Sequence, residues 1–222
     1  MSSMYEIIMS LPLFNGVGPE KISKIVERTK FHFLKFEQGE TIVNTNDPCT
    51  HIKFIITGSA KSVLECSNEN FNVTQTLRAP NVISPDFLFG LTTTYPCTVT
   101  ALEPTGILQI SKTDYMTILT ADKIFMFNYL NMLSGNAQKS YAGAIAISGN
   151  SLEQQIAFKL LALTQSQGSD MTLTCNDMAS LFGATPKQLE ATLKKLKERN
   201  IIDYTPTEIS IISRNELIKI IS

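Results

Sequence analysis

Thr174-Cys175-Asn176-Asp177-Met178-Ala179-Ser180-Leu181-Phe182-Gly183-Ala184-Thr185-Pro186-Lys187-Gln188-Leu189-Glu190 reads as two capped helices joined by a glycine turn. Thr174 is suited to cap the first helix, with Asp177 in its opening turn, where the helix dipole favours a negative charge. Met178, Leu181 and Phe182 then share an inward face, and Ala179 leaves room for a second helix to cross closely. Gly183 can take the positive φ that ends a helix. Thr185 caps the next one and Pro186 fits its first position, where no backbone N–H is needed. This order of caps, turn and apolar positions predicts a helix-turn-helix.

In the second helix Leu189, Leu193 and Leu196 fall on one stripe, so the residues half a turn away face outward. These are Lys187, Ala191, Lys194 and Glu198, with Lys195 beside them. Residues 200–204 and 208–212, separated by Thr205-Pro206-Thr207, predict a small hairpin, the wing. A helical hairpin with a solvated lysine face would account for the charges alone. The coincidence of caps, glycine turn, leucine stripe and hairpin in this order favours a DNA-binding module, with its helix N-terminus entering the major groove.

Moving toward the N-terminus, Ser148-Gly149-Asn150-Ser151 combines a helix stop with a capping serine followed by Gln154, which marks a domain boundary. The helix after it, over about 152–165, carries Ile156, Leu160 and Leu163 on one stripe and is broken by 166–170. Before the boundary, 122–147 contains no proline and predicts one long helix. Met126, Leu130, Leu133, Ala137, Tyr141 and Ala144 recur at spacings of three and four and form a single seam. The seam either packs on its own subunit or meets a second copy. A helix of roughly 25 residues reaches about 38 Å, beyond the face of a small domain, which favours a homodimer.

Between Phe31 and Ile110 the pattern changes to short runs rich in Ile, Val, Thr and Phe, punctuated by glycine, asparagine and proline. Six to eight short strands at this spacing predict an antiparallel roll. Within it Ile55-Ile56-Thr57-Gly58-Ser59-Ala60 reads as a strand, a tight glycine reversal and a second strand. Short helices precede the roll, one of them starting at Pro19 and running to about Arg28, and Lys112-Thr113-Asp114 can cap another after it.

Composition removes several function classes. No apolar run approaches the roughly 18 residues needed to span a bilayer, and Met1-Ser2-Ser3-Met4-Tyr5-Glu6 lacks a basic, apolar leader, which predicts a cytoplasmic protein without membrane contact. Cys49, Cys66, Cys97 and Cys175 are too dispersed for a zinc ribbon or iron–sulfur cluster, and His32 and His51 alone cannot close a metal site. Haem would have to be ligated by these histidines or a thiolate, so no cofactor is assigned. No Ser-His-Asp set or phosphate-binding glycine loop points to an enzyme. The net charge is −1, yet 172–200 holds five basic residues against three acidic ones, so any surface for double-stranded DNA is a local patch.

Taken together, these segments resemble the Crp/Fnr family of bacterial transcription regulators over essentially the whole chain. Leu11-Pro12-Leu13-Phe14 looks like the family's entry segment, Ile55–Ala60 like its central roll strand and 122–147 like its dimer helix. The resemblance implies an α+β protein with an N-terminal antiparallel β-roll of the cyclic-nucleotide-binding type over 1–120, a long dimerisation helix over 121–148 and a C-terminal winged helix-turn-helix over 149–222. It also implies a homodimer whose two recognition helices, about 186–199, read half-sites one helical turn apart. An activator of this kind would also meet RNA polymerase.

The departures from the family are specific. Members that bind cyclic AMP hold the ribose with a Gly-Glu pair and the phosphate with an Arg-Ser pair. Ser84-Pro85 and Tyr95-Pro96 align there, and proline supplies neither a cation nor an N–H. Cyclic AMP is therefore not expected to bind in the usual way, and an unidentified small-molecule effector would lie near Ser84, Asp86, Phe87, Tyr95 and Cys97. In the recognition helix, Pro186, Lys187 and Ala191 stand where many members have base-reading arginine and glutamate. Thr174 and Thr185 remain able to donate to phosphates, Lys187 or Gln188 to read a base, Ala191 to touch a thymine methyl, and Lys194 and Lys195 to approach the backbone. The neutral C-terminal segment also admits the alternative of a ligand-sensing or interaction protein whose DNA-binding module has degenerated.

Overall fold

The computed structural model describes residues 4–66, 70–146, 151–163 and 169–221. The chain forms two compact units, one made of Met1–Ser62 with Leu77–Gly135 and the other of Val63–Thr76 with Asn136–Ser222.

The first unit begins with α1 (Met4–Ser10), a 3-10 turn at Pro12–Phe14, and α2 (Pro19–Arg28), whose first position is the predicted proline. Eight short strands follow among the described residues: β1 (His32–Phe36), β2 (Thr41–Val43), β3 (His51–Thr57), β4 (Ser59–Cys66), β5 (Phe71–Arg78), β6 (Asn81–Ile83), β7 (Thr98–Ala101) and β8 (Thr105–Ser111), with β4 from Val63 and β5 up to Thr76 belonging to the second unit. They pair in the orders β1-β8-β3-β6 and β5-β4-β7-β2, which is a double-sheet antiparallel roll. Alternation sets the inward face of β3, where Ile52 and Phe54 are buried between half-exposed His51 and Lys53. Phe54 meets Phe14 edge-on at 6.0 Å, and Phe14 meets Phe125 at 5.7 Å, so helices and sheet share one aromatic core.

Gly58 makes the predicted reversal between β3 and β4. It has φ +78°, and a Cβ there would lie 2.6 Å from the Pro104 carbonyl oxygen and 3.0 Å from Thr105 Cα, so both conformation and space demand glycine. One expectation is corrected in α3 (Lys112–Ala121): the cap is Ser111, whose Oγ accepts from the Asp114 N–H at 3.0 Å, rather than Lys112-Thr113-Asp114. Strand β8 runs one residue further than its hydrophobic pattern, which leaves Ser111 at the junction.

The long helix α4 spans Lys123–Ala146. Phe125 and Tyr129 are buried in the first unit, where Tyr129 stacks edge-on with Phe89 and Tyr115 and its hydroxyl donates to the Pro85 carbonyl at 3.0 Å. Met126 and Leu130, four residues apart, are 41% and 48% exposed, Phe127 is 59% exposed, Leu133 is half-buried and Ala137 exposed. The seam thus does not pack on its own roll at Met126 or Leu130, because the neighbouring stripe of Phe125 and Tyr129 occupies that contact.

The second unit holds α5 (Leu152–Ala162), β9 (Ser169–Cys175), α6 (Met178–Leu181), α7 (Pro186–Glu198), β10 (Ile202–Thr205), β11 (Glu208–Ile211) and α8 (Arg214–Ile221). Ser151 and Gln154 form the predicted capping box of α5, which ends at Ala162; Gln165 lies outside the described residues. Two elements are additions to the sequence reading. Strand β9 buries Met171, Leu173 and Cys175 with Thr172 and Thr174 on its other face, and α8 buries Leu217. The strand order β10-β11-β9-β5 places the far part of the β4–β5 hairpin in this unit's sheet.

Candidate nucleic-acid interface

The helix pair is built by local rules. Asp177, rather than Thr174, caps α6: its Oδ1 accepts from the Ser180 N–H at 2.9 Å. Thr174 is unavailable as a cap because it is still in β9, paired with Glu208 on one side and Asn72 on the other. Gly183 ends α6 with φ +61°, and a Cβ added there would meet nothing within 4 Å, so its requirement is conformational alone. Lys159 Nζ donates to the Leu181 carbonyl at 2.8 Å and thereby satisfies an orphan carbonyl at the end of α6.

Thr185 caps α7 as predicted, and Gln188 closes a reciprocal box. Thr185 Oγ1 accepts from the Gln188 N–H at 3.3 Å, and Gln188 Oε1 accepts from the Thr185 N–H at 3.2 Å and from its hydroxyl at 2.7 Å. A cap of this kind contributes about 1 kcal/mol and fixes where the helix begins. It also occupies the Gln188 oxygen and both sides of the Thr185 hydroxyl, so the expected donation from Thr185 to a phosphate competes with the cap.

Leu189, Leu193 and Leu196 are 6%, 4% and 0% exposed, whereas Lys187, Ala191, Lys194, Lys195 and Glu198 are all exposed. Three ammonium groups therefore stand on the solvent side of α7. Lys197 is drawn aside to the wing: its Nζ is 2.5 Å from an Asp203 oxygen and 5.6 Å from the Tyr204 ring. The hydrogen bond to Asp203 raises the lysine pKa and lowers that of the aspartate. Arg199 is bonded to Glu153 of α5. The wing itself pairs Ile202 with Ile211 through Thr205 with Glu208 around Pro206-Thr207. A groove of about 860 Å³ runs between α7 and the wing, lined by residues that include Pro186, Glu190, Lys194, Tyr204 and Pro206.

The candidate effector residues lie in the first unit. Ser84, Tyr95 and Cys97 are 4%, 2% and 2% exposed, and Ser84 Oγ is 3.7 Å from Cys97 Sγ. Tyr95 donates its hydroxyl to the His51 carbonyl at 3.1 Å, and burial drives its pKa upward. Asp86 is exposed and Phe87 half-buried, and the Phe87 N–H donates to the Ser84 carbonyl at 3.1 Å. Ser84 has φ +43°, a left-handed backbone that glycine adopts without strain, and Pro85 begins the following 3-10 turn. Residues 84–97 contain no lysine, arginine or histidine. Among the described residues no group of three or more His, Cys, Asp or Glu is disposed to hold a metal, and no helix is long and apolar enough to cross a membrane.

Residues 33–122 match the cyclic nucleotide-binding domain family, and residues 154–220 match the Crp-like helix-turn-helix domain. The chain belongs to the Crp/Fnr family. It is similar to the probable transcriptional regulator flp of Lacticaseibacillus casei, 25% identical over 218 residues that cover 93% of this chain and 94% of that protein. Two solved structures share the Crp/Fnr fold. One is the catabolite activator protein of Thermus thermophilus, with a TM-score of 0.55 at 17% identity, covering 95% of this chain and 98% of that one. The other is the c-di-GMP-responsive global regulator of Xanthomonas campestris, with a TM-score of 0.50 at 15% identity, covering 88% and 100%. The protein is accordingly a DNA-binding transcription regulator of the Crp/Fnr type.

Proposed function

We propose that the protein works in the cytoplasm as a homodimer joined along α4, with two α7 helices entering major grooves of double-stranded DNA about one helical turn apart. The observation that carries this reading is the division of α7: three leucines no more than 6% exposed on one face, and Lys187, Ala191, Lys194 and Lys195 exposed on the other. The exposed Met126 and Leu130 supply the dimer seam, which Leu133, Ala137, Tyr141 and Ala144 continue in sequence. Residues 1–120 act as sensor, 121–148 as dimer helix and 149–222 as DNA-binding domain, with RNA polymerase as a further partner where the protein activates.

Within this division of labour Lys187 reads a base edge, Lys194 and Lys195 approach phosphates, and Ala191 offers a methyl to thymine. Gln188 has its amide nitrogen for a base because its oxygen serves the cap. Thr174 and Thr185 line the phosphate path from β9 and the α7 start. Selection from a random duplex pool is expected to return paired half-sites with centres about 10 base pairs apart. Their sequence should differ from the family palindrome read by arginine and glutamate. Return of that palindrome would refute the assignment of Lys187 and Ala191, and absence of any salt-sensitive binding would favour a degenerate module.

The sensor does not take cyclic AMP in the usual manner. Without a basic side chain in 84–97, and with Pro85 and Pro96 in place of donors, that segment itself offers the cyclic phosphate no counter-charge. Calorimetric titration is expected to show no binding at micromolar nucleotide. Micromolar binding lost on changing Ser84 or Tyr95 would overturn this. A small-molecule effector, where one acts, would reach the Ser84, Tyr95, Cys97, Asp86 and Phe87 region.

A further inference from the structure

The sheet under the recognition helix is not made only of C-terminal sequence. Strand β9 is bonded to β11 along one edge and to β5 along the other, with Phe71 opposite Cys175, Asn72 opposite Thr174, Val73 opposite Leu173 and Thr74 opposite Thr172. Phe71 and Val73 are 5% and 1% exposed and belong to the same apolar core as Leu173, Leu189, Leu193 and Leu196. Gln75, itself buried, donates from Nε2 to the Leu163 carbonyl at the end of α5 at 3.2 Å. The C-terminal sheet is therefore completed by a ribbon from about a hundred residues earlier in the chain, and the same strand continues at Leu77 into the first unit.

We propose that the tip of the β4–β5 ribbon is a positioning element of the DNA-binding module, with Phe71 and Val73 as positioning residues for α7. Removing β5 would leave the β9 edge with unpaired N–H and C=O groups and uncover Leu173 and Cys175 on the face that supports the leucine stripe. The link to DNA rests on the function proposed above; the docking of the ribbon does not.

The test uses the full chain carrying Thr74→Cys and Thr172→Cys, a directly opposed pair on the outer face of the two strands. Opposed residues of an antiparallel pair lie about 4.5 to 5.5 Å apart at Cα, within the reach of a disulfide. Mild oxidation is expected to join these cysteines, shown by peptide mass without any DNA present, and the joined protein should bind duplex within about threefold of its reduced form. Failure to join, or a loss of about tenfold on joining, overturns the proposal. In parallel, Val73→Asp should weaken duplex binding about tenfold or more while Val73→Ile restores it to near the original value. Equal affinity in Val73→Asp and wild type would also overturn it. A wild type that binds no duplex would sink the functional reading, while the disulfide still decides whether the ribbon docks.

Discussion

A full-length chain carrying Met126→Glu and Leu130→Glu is expected to sediment as a monomer and to lose about 100-fold or more in affinity for a duplex with two half-sites. In the isolated chain both side chains project to solvent from α4, while Phe125 and Tyr129 hold the same turns on the roll. Burying a methionine or leucine side chain is worth about 1.5–3 kcal/mol, and a symmetric seam buries each position twice. Replacing them with glutamates removes that gain and sets like charges against each other across the seam. The roll contacts of Phe125 and Tyr129 are untouched, so each protomer should keep its fold. DNA affinity falls because two tethered half-site contacts become independent ones. A dimer that persists in sedimentation would place the interface elsewhere.

Leu196→Ala should destabilise the second unit by about 3 kcal/mol, within the range of about 2–5 for a fully buried leucine. Leu196 has no exposed surface and sits in the core where α5, α7, β9 and β11 meet. Its truncation leaves a cavity directly beneath the recognition helix, and the loss is a large part of a typical domain stability of about 5–15 kcal/mol. The neighbouring Lys195→Ala should change stability by no more than about 0.5 kcal/mol, since that side chain is exposed. Urea unfolding followed by circular dichroism measures both. Similar midpoints for the two variants would contradict the burial pattern that defines which face of α7 is free for DNA.

The start of α7 is legible in the sequence because Thr185, Pro186 and Gln188 specify it within four residues, and the leucine stripe fixes its buried face. The seam of α4 is legible from spacing, but which stripe meets the roll is not, since Phe125 and Tyr129 are as apolar as Met126 and Leu130. The first helix of the pair departs from its sequence pattern at one residue. Thr174 and Asp177 are both good caps, and the choice is made by pairing of Thr174 with Glu208 and Asn72, a long-range contact with no local signature. Strand β9 does have a signal, the alternation of Met171, Leu173 and Cys175, which the polar break at 166–170 conceals. Its pairing with β5 has none.

The capping box also alters what α7 offers to DNA. With the Gln188 oxygen and the Thr185 hydroxyl bonded to each other, the proposed reading and anchoring roles fall mainly on the lysines. That makes the protein's hold on DNA depend strongly on charge. Lys197 and Arg199 are engaged by Asp203 and Glu153, and on the exposed surface of α7 Lys187, Lys194 and Lys195 outnumber Glu190 and Glu198.

The most direct measurement is the salt dependence of duplex binding by the wild type and by a Lys194→Gln, Lys195→Gln variant, each on the selected half-site pair. Every neutralised phosphate contributes about 0.9 to the slope of log affinity against log salt, so two lysines per protomer account for about 3.6 in a dimer. Steep salt dependence is expected in the wild type, with a slope shallower by about that amount in the variant and an unchanged half-site spacing. A salt-insensitive wild type, or a variant with the wild-type slope, would contradict this expectation.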